Sequence, residues 1–144
     1  MKNTLTILML IISMSVAAQG KKEKFNPQKF QAELETRIIE EANLTQQEAA
    51  KFIPVYREMS KKQHHLYKQL KSYRRLDNAD EDAYKKAIVS TDDIEVKLKK
   101  IQQQYHQKFL NILPASKVYN ILRIEQRFHR QEFSKKISRE HPNR

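Results

Sequence analysis

The chain has 144 residues, 28 Lys+Arg against 17 Asp+Glu, a formal charge of +11 and no cysteine. That length suits one small domain, and the missing cysteines exclude a disulfide framework, a thiol nucleophile and a lipid anchor on cysteine. The single glycine, Gly20, leaves no glycine-rich phosphate loop or glycine-based hairpin turn in the rest of the chain.

Lys2 precedes an apolar run from Leu5 to Val16, broken only by Thr6, Ser13 and Ser15. Val16-Ala17-Ala18 then offers small residues at a cleavage site. The pattern is that of a secretory signal peptide cut after Ala18, and the run is short for a bilayer span of about 20 residues. The expected location is therefore periplasmic. Removing this segment takes away one charged residue, Lys2, and lowers the formal charge from +11 to +10. In the cytoplasm such a chain would suggest nucleic acid. Outside it, the fitting partners are anionic membrane surfaces and glycans, acidic proteins, or unfolded chains with negative patches.

Residues 19–25 read as a flexible charged leader. Asn26-Pro27 is an N-cap with proline at the first helical position, and Phe30, Leu34, Ile38 and Ala42 form the stripe of a helix ending near Asn43. Thr45 and Glu48 make a capping box for a second helix. Its seam runs Ala49, Phe52, Tyr56, Met59, Gln63, Leu66, Leu70, Tyr73, in alternating steps of three and four. Pro54 predicts a bend there, not a break, because the seam keeps its phase on both sides.

Asp77-Asn78-Ala79-Asp80 is a turn, and a third helix is predicted from about Glu81. Its stripe is Tyr84, Ile88, Thr91, Ile94, Leu98, Ile101, Tyr105, Phe109, Ile112, with Ser90-Thr91-Asp92-Asp93 as a weak point. Leu113-Pro114 marks the next boundary, with Pro114 at the first position of a fourth helix that carries Val118, Ile121, Leu122, Phe128 and Phe133. Residues 141–144 form a polar tail. The predicted fold is all-α: one domain over 26–140, in which two long antiparallel helices are flanked by two shorter ones. Burying the stripes of a long hairpin calls for those flanking helices or a second subunit, and the reading is a homodimer.

Leu44-Thr45-Gln46-Gln47-Glu48, opening a long helix after a short one and a signal peptide, resembles the LTxxQ motif of the Spy/CpxP family. Ile112-Leu113-Pro114-Ala115-Ser116-Lys117 sits where that family repeats the motif. The stretch from Glu48 to Tyr56 resembles a variant in small exported proteins linked to extracytoplasmic sigma factors. This chain has Glu48 at the fifth motif position instead of glutamine, and Leu113 where threonine would cap the second copy. The resemblance implies a periplasmic, helical, cradle-shaped dimer, with some members acting as ATP-independent chaperones and others as stress or metal sensors.

The charge pattern carries a site independently. Lys51 to Leu76 holds eight basic residues and one acid, Glu58. Arg57, Lys61, His64, Lys68, Lys71 and Arg75 follow four-three-four-three-four spacing and so share one face of the second helix. The last helix adds Arg123, Arg127 and Arg130. These cations read either as a surface for acidic or unfolded clients or as an ordinary solvated face. Ile53 and Tyr67 fall one position off the seam and are candidates for an open, adaptable surface; the other aromatics read as core. His64 and His65 point about 100° apart on a helix and do not chelate together. No catalytic constellation, metal site or cofactor motif is legible, so the chain reads as a non-enzyme. Two functions fit. One is a chaperone-like holder of clients. The other is a regulator docking on the exported domain of a membrane sensor or anti-sigma factor. A structural or lipid-surface role is the third class.

Overall fold

The computed structural model describes residues 26–140; the signal peptide, the leader and the polar tail read from the sequence lie outside the described residues. Four helices follow one another: α1 (Pro27–Glu41), α2 (Gln46–Tyr73), α3 (Glu81–Leu110) and α4 (Ala115–Glu140). No strand occurs among the described residues.

Local chemistry explains each boundary. The Asn26 side chain accepts from the backbone N–H of Gln28 and Lys29, at 3.0 and 3.1 Å, ahead of Pro27. Past the end of α1, Asn43 takes a left-handed φ of 50°, the Leu44 N–H donates to the Ile39 carbonyl, and the Asn43 N–H to that of Glu40. This is a Schellman closure, and asparagine tolerates its left-handed residue better than most. Asp80 caps α3 by accepting from the Ala83 N–H at 2.7 Å. Pro114 stands one residue before the first helical position expected for it, and its carbonyl accepts from Val118.

α2 runs unbroken through Pro54, and α3 unbroken through Ser90–Asp93. In α3 the packing of Ile94 and Leu98 outweighs the local competition of serine, threonine and aspartate for backbone groups. α4 spans 26 residues against 28 and 30 for α2 and α3, so three helices are long and only α1 is short. Nothing in the sequence after Phe128 breaks a helix before the tail.

α2 and α3 pack as an antiparallel hairpin, and α4 packs on α1 and α3. The main core draws on all four helices: Leu34 and Ile38, Phe52, Tyr56 and Met59, Tyr105 and Phe109, Ile121, Ile124 and Phe128. Phe52 and Phe109 meet with ring centroids 4.7 Å apart, and Phe30 and Phe128 at 4.9 Å. The fully buried rings, Phe52, Phe109 and Phe128, each contribute about 1.5–3 kcal/mol by leaving water, and Phe30 is only partly buried. A second cluster, Leu70, Ile94 and Leu98 with Leu66 and Tyr73, belongs to α2 and α3 alone. The 28 residues of α2 carry it about 42 Å, whereas the 15 of α1 reach only about 22 Å, and α4, long as it is, places no residue in this cluster. The far half of the hairpin is thus a two-helix arm projecting from a four-helix base.

The predicted stripes are corrected at four positions. Ile88 is 64% exposed, with Ala87 taking the inward position beside it. Tyr84 and Phe133 also face solvent, and Ile124, absent from the predicted stripe, is buried. Beyond Phe128, α4 buries no further residue among those described, and Phe133 and Ile137 stand exposed.

Candidate functional site

At the base of the arm the basic face of α2 is not free. Glu35 of α1 is only 6% exposed, and the Arg57 guanidinium grips it in a fork, Nε to Oε1 at 2.9 Å and Nη2 to Oε2 at 2.7 Å. Burial alone would raise the Glu35 pKa, but hydrogen bonds from Arg57 and Gln31 hold it below the ordinary carboxylate range. Arg57 is therefore a structural cation here. Ile53, four residues earlier, is 8% exposed and belongs to the main core, not to an open surface. Arg57 meets α1 through Glu35, and Ile53 joins the core that all four helices share; the sequence does not say how far that cover extends.

Above that level the same face continues uncovered. Lys61, His64, Lys68, Lys71 and Arg75 are exposed, and none of their side chains has a hydrogen-bond or ion-pair partner among the described residues. Tyr67 stands among them, 49% exposed, as expected. Partial burial, and after it the charge of Glu125, pushes its hydroxyl pKa up. Arg74 pairs with Glu95 across the arm at 3.3 Å. At the tip, Tyr73, Leu76, Tyr84, Ala87 and Ile88 line an open cavity of about 330 Å³. The arm thus sets unpaired cations beside exposed apolar groups.

The arginines of α4 do not join this surface. Arg127 is bound to Glu41 of α1. Arg123 and Arg130 are exposed without partners. Arg123 precedes Glu125 by two residues, hence about 200° around α4, and Glu125 faces α2 through Tyr56. The outer face of α4 instead reads Tyr119, Arg123, Gln126, Arg130, Phe133, Ile137, with all three apolar members exposed.

The two motif segments come together. Thr45 and Glu48 form the capping box, with Thr45 N–H to Glu48 Oε2 at 2.8 Å and Glu48 N–H to Thr45 Oγ1 at 3.2 Å. Lys117 of the second segment donates to the same Glu48 Oε2 at 2.6 Å and to the Asn43 carbonyl at 3.0 Å. Those bonds, Lys117 first, hold the Glu48 carboxyl below its usual range. Leu44 and Leu113 are both buried in the main core, and Pro114 is exposed beside them. Glutamate adds to the capping bond a full negative charge for Lys117, where an amide would offer only a neutral acceptor.

Sequence reading missed a polar pair inside the bundle. The Tyr56 hydroxyl donates to Glu125 Oε1 at 3.0 Å, with His129 Nε2 at 4.0 Å. Burial raises the Glu125 pKa, against the pull of the Tyr56 hydrogen bond and of His129. Burial, then the charge of Glu125, pushes the Tyr56 phenol far up as well. Two residues 69 positions apart leave no spacing signal. Among the described residues no three His, Cys, Asp or Glu side chains gather as a metal site, and no helix is long and apolar enough to cross a membrane.

No family model matches this chain, and no match was found among curated proteins or solved structures.

Proposed function

We propose that this chain is a periplasmic, ATP-independent chaperone-like binding protein, a homodimer without enzymatic activity, that holds unfolded or acidic clients on the α2–α3 arm. The observation that carries the reading is the row Lys61, His64, Lys68, Lys71, Arg75, which has no counter-charge and stands beside exposed Tyr67. A solvated helix face ordinarily carries both signs. A one-sign row with a formal charge near +10 behind it steers acidic chains towards itself. The resemblance of Leu44–Glu48 to the LTxxQ motif points the same way.

The test is the capture rate of an acidic unfolded client over a salt series. Lys61, Lys68, Lys71 and Arg75 reversed together to glutamate should slow capture and flatten its salt dependence. Above about 0.15 M salt, where the Debye length falls below about 8 Å, the wild type should approach the variant. Equal rates and equal salt slopes would reduce the row to a solvated face.

A regulator that docks on the exported domain of a membrane sensor or anti-sigma factor is the second reading. Its support is the outer face of α4, where Tyr119, Phe133 and Ile137 alternate with Arg123 and Arg130 at coiled-coil spacing. One defined helix face suits one defined partner. On that reading Tyr119→Asp with Phe133→Asp abolishes docking and leaves client capture intact.

A further inference from the structure

Lys62, His65 and Leu66 of α2 and Lys97, Lys100 and Ile101 of α3 line a shallow groove of about 570 Å³ along the hairpin. It is not the surface described above. Leu66 follows Arg57 by nine residues, so it lies about 180° around α2 from the residue that meets α1. The groove therefore opens on the bare back of the hairpin.

Its chemistry is divided. Leu66 and Ile101, both partly buried, supply an apolar floor. All four remaining lining residues are basic, and no carboxylate lines the groove. Lys62 is answered by Glu58 at 3.1 Å, but Lys97 and Lys100 are exposed without ion-pair partners. Two unanswered ammonium groups three residues apart repel each other and favour an anion between them. A small inorganic anion would leave the floor wet, and an uncharged apolar molecule would leave the lysines unanswered. The volume lies in the range of small-molecule sites, about 300–1,000 Å³.

We propose that this groove binds a single-chain anionic amphiphile, a long-chain carboxylate, with its chain over Leu66 and Ile101 and its head between Lys97 and Lys100. The chain's apolar burial supplies affinity, and the head's charge fixes which end lies where.

The test titrates the full mature chain with oleate below its micelle concentration, and in parallel with oleyl alcohol and oleylamine. The expected result is one oleate bound per chain and much weaker binding of the alcohol and the amine. Lys97→Glu with Lys100→Glu should weaken oleate at least about tenfold; the milder Lys97→Gln with Lys100→Gln should weaken it in the same direction. Ile101→Ser should also weaken it, whereas Lys68→Glu with Lys71→Glu should leave it unchanged. Alcohol bound as tightly as oleate, lysine variants at wild-type affinity, or binding to anionic phospholipid vesicles but not to monomeric oleate would each overturn the assignment.

Discussion

Replacing Arg57 by alanine separates structural from functional cations on α2. The change leaves Glu35, 6% exposed, with a single side-chain donor, Gln31 Nε2 at 3.0 Å. Removing one partner of a buried ion pair costs about 3–5 kcal/mol. The Arg57 side chain is itself 64% exposed, so water already screens part of the pair, and the expected cost is about 2 kcal/mol. At about 4 °C per kcal/mol for a domain of this size, Tm should fall by about 8 °C. Lys68→Ala and Lys71→Ala, with no partner to lose, should stay within about 0.5 kcal/mol of the wild type. Because the folded pKa of Glu35 is lowered, the stability that Arg57 confers is present above the ordinary glutamate value of 4.5 and lost as pH falls through the folded pKa. The gap between wild type and variant should therefore narrow in acid. Arg57→Ala combined with Glu35→Leu should recover most of the loss, since no carboxylate is then stranded. Thermal melts followed by far-UV circular dichroism give all these values. An unchanged Tm for Arg57→Ala at neutral pH would refute the argument and return Arg57 to the free basic row.

Other perturbations test other parts of the fold. Thr45→Ala should cost about 1 kcal/mol from the lost cap, read in the same melts. Leu70→Ala, in the small core of the arm, should cost about 3 kcal/mol; hydrogen exchange should then rise over residues 66–98 while the four-helix base keeps its protection. Glu125→Gln keeps an acceptor for the Tyr56 hydroxyl and removes a buried charge. Since the folded pKa of Glu125 is raised, its ionisation costs stability as pH rises through that pKa, so the glutamine variant should gain in Tm near neutral pH and lose that gain in acid. Protein recovered from the envelope should begin at or near Gln19, read by N-terminal sequencing, and an intact Met1 terminus in the cytosol would remove the export argument.

Helix positions were legible because their signals are local. Asn26-Pro27 and the Thr45–Glu48 box each place a cap and its partner within three residues, and both form as read. The α2 seam was legible for the same reason, since three-and-four spacing names a face regardless of what covers it. What covers it was not legible. Arg57 and Lys61 stand at equivalent positions of one row, yet Arg57 answers a buried carboxylate and Lys61 meets solvent. The difference lies in the reach of α1, which depends on how a helix 15 residues long is laid against one of 28. Ile53 failed as a surface residue for the same reason. Glu125 and Tyr56, or Lys117 and Glu48, are joined across 69 positions, where no periodicity operates.

That dependence on cover has a consequence for the arm. A helix face that must accept α1 at one level and stay open at the next has to change character along its length, and this one does. Ile53 and Arg57, at the base, offer a methyl surface and a fork matched to one carboxylate. Lys61, Lys68 and Lys71, further out, offer point charges on long flexible stems with no fixed mate, and Arg75 at the far end is likewise without a partner side chain. Arginine suits a planar bidentate partner held in one geometry, and lysine a mobile charge that answers many. The change from Arg57 to Lys61, Lys68 and Lys71 along one face is thus a change from a specific intramolecular contact to an unspecific external one. Lys68→Arg with Lys71→Arg tests it directly. If the outer row serves by adaptable charge alone, capture of an acidic unfolded client should be unaltered, because net charge and position are kept. A marked slowing would mean that the row reads its clients through a fixed geometry, as Arg57 reads Glu35, and the adaptable-surface account would then fail.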